Sequence, residues 1–219
     1  MRQEIKKQFE HYLDPRMVRK LQKDPTLLKL GGERRDMTFL FCDIRGFTPI
    51  SEGYKDNPKG LVELINRFLT NQTDIILRHG GTVDKYMGDC IMAFWNAPLD
   101  EEKHAEKAVQ AALEMRRGLQ ELNNVLQHER GIEINTGIGV NTGPCIVGNM
   151  GSSSRFDYSV IGDAVNLASR LEGQCKDYNT DLIISEATMK QAVLNEYDKL
   201  GEVTVKGKSE PVSIFTIQK

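Results

Sequence analysis

The sequence predicts an α+β fold, a ferredoxin-like βαββαβ core with a C-terminal α/β elaboration. Short apolar runs of strand length and long stretches with helical spacing alternate in that order through residue 140. Gly-Gly and Gly-Asp pairs punctuate the boundaries. Beyond residue 140 the elements become shorter and end in two further strand signals, which reads as an addition to the first unit. A chain of 219 residues with 39% hydrophobic and 27% charged residues has the composition of one sizeable domain with a short appendage.

The segment from Met1 to Leu30 differs from the rest. Phe9, Tyr12, Leu13, Val18, Leu21, Leu27 and Leu28 punctuate a polar background broken by Pro15 and Pro25, which reads as one or two short helices forming a linker or docking arm over residues 1–32. The first strand spans about Arg35 to Asp43, with the apolar run Met37–Cys42 marking it as buried. A helix follows from Pro58 to His79, with Leu61, Leu64, Ile65, Phe68, Leu69 and Ile76 at helical spacing and Gly80-Gly81 as its stop. Strands at Thr82–Met87 and Cys90–Trp95 form a hairpin around Gly88-Asp89. A second long helix is expected over Asp100–His128, with Asp100 as N-cap and Glu101 and Glu102 in its first turn. Strand four is expected at Ile132–Val140. A second hairpin should pair Cys145–Gly148 with Phe156–Ile161, and a helix should run from Gly162-Asp163 to about Lys176. A strand at Asp181–Ile184, a helix at Ser185–Val193, and a last pair at Val203–Val205 and Val212–Ile217 complete the unit.

Charge and cysteine usage narrow the function classes. A net charge of −2 argues against a general nucleic-acid binder. Cys42, Cys90, Cys145 and Cys175 contain no Cys-x-x-Cys pair, so zinc is not expected and buried thiols in a reducing compartment are. The sequence contains no secretory leader pattern and no apolar run of membrane-spanning length.

Two aspartates carry most of the chemical information. Asp43 ends the first strand, and Asp89 sits in the turn of the neighbouring hairpin. If those strands are adjacent, two carboxylates meet at one sheet edge, an unfavourable arrangement unless a cation lies between them. Oxygen-bound divalent ions with positions open to phosphate answer that need, and point to nucleotide chemistry. Read singly, each residue has an ordinary alternative. Asp43 is also a good cap for a helix starting near Gly46, and Gly-Asp is a common turn pair. Asn166 and Arg170, four apart, share a helix face suited to a triphosphate, or are simply solvated. Lys85 is an exposed edge lysine or reaches a base or phosphate, and Lys206 sits at a hairpin tip.

Together these residues form a recognisable set. Phe41-Cys-Asp43-Ile-Arg-Gly-Phe-Thr48, Asp84-Lys85-Tyr-Met-Gly-Asp89, Gly137-Ile-Gly-Val-Asn-Thr-Gly143 and Gly162-Asp-Ala-Val-Asn-Leu-Ala-Ser-Arg170 resemble the class III nucleotidyl cyclase catalytic domain over residues 33–219. Four motifs in order with matching spacing are highly specific.

The resemblance implies a homodimer with two active sites at the subunit interface, using two divalent cations, Mg²⁺ or Mn²⁺. It implies that one subunit supplies the metal ligands Asp43, Asp89 and the Ile44 carbonyl. The partner would supply Lys85 for the purine, Asn166 and Arg170 for the transition state, and Lys206 for phosphate. Val160 beside Ser159, and Phe47 and Thr48 after Asp43, complete the implied substrate-binding set. At the second purine-selecting position, where the best-known members have Asp, this chain has Ser159. Lys85 with Ser159 suits adenine, and the Glu plus Cys pattern resembling guanylyl cyclases is missing. A Ser hydroxyl can also donate, so it should reject guanine less firmly than Asp would. Ser or Thr there resembles the bacterial adenylate cyclase subgroup often stimulated by bicarbonate, and Pro144 departs from the arginine of some mammalian halves. The implied function is adenylate cyclase, ATP to 3′,5′-cyclic AMP, with guanylate cyclase or a catalytically silent nucleotide-sensing and dimerisation module as alternatives. Phe9-x-x-Tyr12-x-x-Pro15 with Leu30-Gly-Gly-Glu33 resembles the connectors of sensory or membrane modules. The expectation is therefore a cytoplasmic output domain of a larger, membrane-anchored or sensory receptor.

Overall fold

The computed structural model describes residues 30–204 and 211–218, together with 18, 19, 22 and 23. Phe9, Tyr12, Pro15 and Lys206 lie outside the described residues, so the proposed connector motif and the phosphate lysine carry no structural account.

The chain runs β1 (Gly31–Ile44), α1 (Phe47–Gly53), α2 (Pro58–Arg78), β2 (Thr82–Met87), β3 (Cys90–Trp95), α3 (His104–Arg130) and β4 (Thr136–Gly151). It continues through β5 (Phe156–Ile161), α4 (Asp163–Gln174), β6 (Leu182–Ser185), α5 (Glu186–Ala192), β7 (Asp198–Val203) and β8 (Val212–Thr216). The sheet order is β2-β3-β1-β4-β6-β8-β7, with β5 pairing β4 off that path. The first four strands therefore have the ferredoxin-like order, and β6 to β8 extend the sheet beyond β4 through a parallel β4–β6 pairing.

Both faces of the central strands are covered, which explains why the run Met37–Cys42 is apolar without alternation. One face buries Leu40, Cys42, Ile91, Ala93, Trp95, Ile138 and Val140 against Leu64, Phe68 and Ile76 of α2 and Val109, Ala112 and Met115 of α3. α2 starts where the sequence places it because Pro58 pre-sets the first turn and the Asn57 side chain accepts from the Gly60 N–H at 3.1 Å. The other face buries Met37, Phe39, Phe41, Met92 and Phe94 under Val160 of β5 and Val165 and Ala168 of α4. The β4–β5 hairpin thus folds back across the sheet, bringing the Tyr158 ring centroid within 6.3 Å of Phe94.

A buried hydroxyl chain crosses the first face. The Thr38 hydroxyl lies 2.8 Å from His104 Nδ1 and 2.8 Å from the Thr142 hydroxyl, which in turn lies 2.9 Å from Thr188. Burial favours the neutral imidazole and lowers the pKa of His104.

Several boundaries differ from expectation. α3 begins at His104, with Lys103 at the cap position, and Asp100 does not cap it. Asn96 Oδ1 accepts from the Glu101 N–H at 2.7 Å and holds the preceding turn, while Asp100 pairs with Arg35 at 2.8 Å. β4 begins at Thr136, because the Asn123 side chain binds both the N–H and the carbonyl of Ile134. Cys145–Gly148 is the continuation of β4, not a separate strand. Pro144 is tolerated within it because residues 141–145 pair with β1 alone, lying between the stretches paired to β6 and β5. The penultimate strand is Asp198–Val203.

Gly139 fixes the seat of α4. A Cβ there would lie 2.3 Å from the Glu172 nitrogen and 2.4 Å from the Ala168 carbonyl oxygen, so helix backbone rests directly on strand backbone. Gly139→Ala is expected to destabilise the domain by about 1–3 kcal/mol through overpacking. Urea unfolding would check this, and an unchanged midpoint would contradict the close approach.

Candidate active site

Two strand ends bring the acidic residues together. β1 pairs β3 in the register Cys42↔Ile91, and β2 pairs β3 up to Met87↔Cys90. The intervening turn uses Gly88 at φ 66°, a conformation that favours glycine, and leaves Asp89 beside the end of β1. The Ile44 N–H donates to Asp43 Oδ1 at 3.1 Å. Burial, then the charge of Asp89 and a hydrogen bond shared with it, push the Asp43 carboxyl up to about 6. Among the described residues no cationic side chain comes within salt-bridge distance of either aspartate.

Glu172 is the residue that sequence reasoning missed. It projects from α4 over Gly137, the cross-strand partner of Asp43; a Cβ on Gly137 would lie 2.6 Å from Glu172 Oε1. Burial and then Asp43 raise its pKa to about 7, opposed by Arg45 and Lys176. The available signal was helical periodicity, since Glu172 lies one turn beyond the buried Ala168.

The donor set fits hard cations. Asp43 and Asp89 are oxygen donors whose mutual repulsion a divalent ion would relieve, and the Ile44 carbonyl follows in sequence. Among the described residues no group of three or more His, Cys, Asp or Glu side chains is arranged to hold a metal, so further ligands would have to be main-chain or substrate oxygens.

Two other candidates meet across the folded hairpin. The Ser159 hydroxyl donates to Asp84 Oδ2 at 2.6 Å, and Lys85 Nζ lies 3.5 Å from Asp84 Oδ1. Val160 alternates inward and its side chain belongs to the core. Phe47 packs against the core from α1, and the backbone carbonyl of the exposed Thr48 accepts from the Ser51 hydroxyl at 2.8 Å. Asn166 and Arg170 are both exposed on α4. They lie about 200° around the helix from Ala168 and Glu172, which face the sheet. Thus the structure joins Asp43 with Asp89 and Lys85 with Ser159, while Asn166 and Arg170 point away from the same chain's aspartates.

The ferredoxin-like sheet thus carries paired carboxylates at neighbouring strand ends. The chain belongs to the adenylate and guanylate cyclase catalytic domain family, whose model matches residues 32–219. It is 33% identical to Adenylate cyclase 1 of Rhizobium meliloti over 95% of this chain and 31% of that protein. It is 36% identical to an adenylate cyclase of Anabaena cylindrica over 86% of this chain and 38% of that protein. The chain therefore spans about a third of the length of these curated relatives. Among solved structures, the adenylyl cyclase CyaB from P. aeruginosa superposes with TM-score 0.78 at 35% identity, covering 87% of this chain and 97% of that one. The guanylyl cyclase Cya2 superposes with TM-score 0.75 at 38% identity, covering 85% and 93%. The likeness is thus shared between enzymes named for either nucleotide. Among the described residues no helix is long and apolar enough to cross a membrane.

Proposed function

We propose that this domain converts ATP to 3′,5′-cyclic AMP and pyrophosphate, acting as a homodimer with two divalent cations. The observation that carries the reading is the Asp43–Asp89 pair, two uncompensated carboxylates at the edge of a cyclase-family sheet. The orientation of α4 supports the homodimer. Asn166 and Arg170 face away from Asp43 within one chain, so a site using all four residues needs a second copy.

In this reading Asp43, Asp89 and the Ile44 carbonyl would hold the cations. When bound, such ions acidify the ribose 3′-hydroxyl and neutralise the leaving pyrophosphate. Asp43 or a water takes the 3′-hydroxyl proton, the 3′-oxygen bonds to the α-phosphorus, and the bond to the pyrophosphate oxygen breaks. Asn166 and Arg170 of the partner subunit's α4 donate to oxygens that gain charge in the in-line transition state. Lys85 donates to adenine N1 and Ser159 accepts from the exocyclic amine. Lys206 contacts phosphate. The full-length protein is proposed to couple this chemistry to an upstream sensory or membrane module through residues 1–32.

The test is product formation from ATP and GTP in parallel, with Mg²⁺ and with Mn²⁺, each with and without bicarbonate. Cyclic AMP with a clear preference for ATP is expected. Cyclic GMP from GTP as the main product would overturn the base reading, which the likeness to Cya2 makes the specific rival. A folded dimer that forms neither product would leave a silent nucleotide-sensing module.

A further inference from the structure

We propose that Asp84 is a positioning residue for purine selection, fixing the hydroxyl of Ser159 as an acceptor and drawing Lys85 toward it. The inference rests on the reading that Lys85 and Ser159 contact the base, and names what sets their polarity.

The geometry isolates Asp84 from the ordinary roles of a strand aspartate. Its side chain is 1% exposed, although β2 is an edge strand whose next three residues are open to solvent. A register shift between Val83 and Lys85 accompanies this placement. A carboxylate buried there without strong partners would be costly. Burial does raise its pKa, and the hydrogen bond from Ser159 and the nearby Lys85 oppose that rise. Ser159 donates to Oδ2 at 2.6 Å, whereas Oδ1 is buried, has no hydrogen bond, and has only the Lys85 ammonium 3.5 Å away. Lys85 itself is 44% exposed and free to swing between Asp84 and a ligand.

The chemical consequence follows from proton counting. An ionised carboxylate only accepts, so the single hydroxyl proton of Ser159 is committed to Asp84. The hydroxyl oxygen then presents lone pairs to any base beside it. Adenine offers a donor amine at its exocyclic position and an acceptor at N1. Guanine offers an acceptor carbonyl and a donor N1–H. An acceptor hydroxyl beside a lysine matches adenine at both points and opposes guanine at both. Taken alone, a serine at this position could turn its proton toward either base; Asp84 removes that freedom. The family-level substitution of Ser for Asp is thereby compensated from β2, by a carboxylate one residue before the lysine.

The test measures binding of 3′-deoxy-ATP and 3′-deoxy-GTP with Mg²⁺ by calorimetry. These nucleotides lack the attacking hydroxyl and bind without turnover. The wild type should favour the adenine nucleotide, and Asp84→Asn should lower the affinity ratio roughly tenfold or more, because the amide can donate to Ser159 and free its proton for guanine. Adding Ser159→Ala to Asp84→Asn should change the ratio by no more than about twofold, since the two act as a unit. A mere staple between β5 and β2 would lower the melting temperature and weaken both nucleotides alike, leaving the ratio intact. That outcome overturns the proposal. If the wild type shows no adenine preference, the base reading itself falls, whereas a wild-type preference retained in Asp84→Asn sinks the role of Asp84 alone. Should Asp84→Asn not fold, Ser159→Ala against Ser159→Thr decides. Threonine keeps a hydroxyl to donate to Asp84 and should keep the preference that alanine loses; equal ratios would overturn the proposal.

Discussion

Asp43→Asn is expected to reduce cyclic nucleotide formation by at least ~10³-fold, on the order of 4 kcal/mol of transition-state stabilisation, while making the metal-free protein more stable. The two effects have one cause. Asp43 is raised from 3.8 to about 6 by burial and by Asp89. The folded state therefore holds a proton that the unfolded chain has released, and metal-free stability falls as pH rises through that interval. Removing the charge should recover on the order of 1 kcal/mol at neutral pH; the full shift would overstate it, because the carboxyl is part-exposed and shares its proton with Asp89. Glu172, raised to about 7, gives a slope of the same sign that persists in the variant. Urea midpoints at about pH 5 and about pH 7.5, with and without Mn²⁺, would check the prediction. The metal should stabilise the wild type and have little effect on the variant. Turnover retained within about tenfold would remove Asp43 from the ligand set.

Arg170→Ala should lower turnover by ~3–4 kcal/mol without harming the fold, because the side chain is exposed and packs into no core. The sharper expectation comes from mixing. α4 turns Arg170 away from the Asp43 of its own chain, so each site would take its aspartates from one copy and its arginine from the other. An Asp43→Asn chain and an Arg170→Ala chain, each inactive alone, should form hybrids with one intact site. With free exchange and equal amounts, half of the dimers are hybrids, and the mixture should recover about a quarter of wild-type activity. No recovery from chains shown to exchange would mean that both residues act within one copy, or that Arg170 acts elsewhere.

The parts of the fold that were legible are those where local chemistry and tertiary environment agree. Pro58 and Asn57 mark the start of α2, and the hairpin around Gly88-Asp89 has the expected strand limits. The sequence reads as two strands, Ile132–Val140 and Cys145–Gly148, where the structure has the single β4. Only the pairing pattern reveals that its second side is open at residues 141–145. Asp100 is a sound cap by residue type, but Arg35, 65 positions away, pairs with its carboxylate, while Asn96 holds the turn by accepting from the Glu101 N–H. The adjacency of Asp43 and Asp89 and the shared exposed face of Asn166 and Arg170 were readable from spacing. Glu172 and Asp84 were not, since each becomes informative only through a neighbour distant in sequence, Gly137 for one and Ser159 for the other.

The seating of α4 on Gly139 has a mechanical consequence. With backbone against backbone at Gly139, no side chain lies between helix and strand at that point whose rotamer could change to let the helix slide. The Arg170-bearing helix is thereby joined stiffly to β4, the strand paired with the Asp43-bearing β1. In the proposed homodimer, bringing an arginine up to a partner's aspartates would then be a matter of one whole subunit pivoting against the other. In that reading, a signal arriving ahead of β1 would need only to change the angle between the two copies to open or close both sites at once.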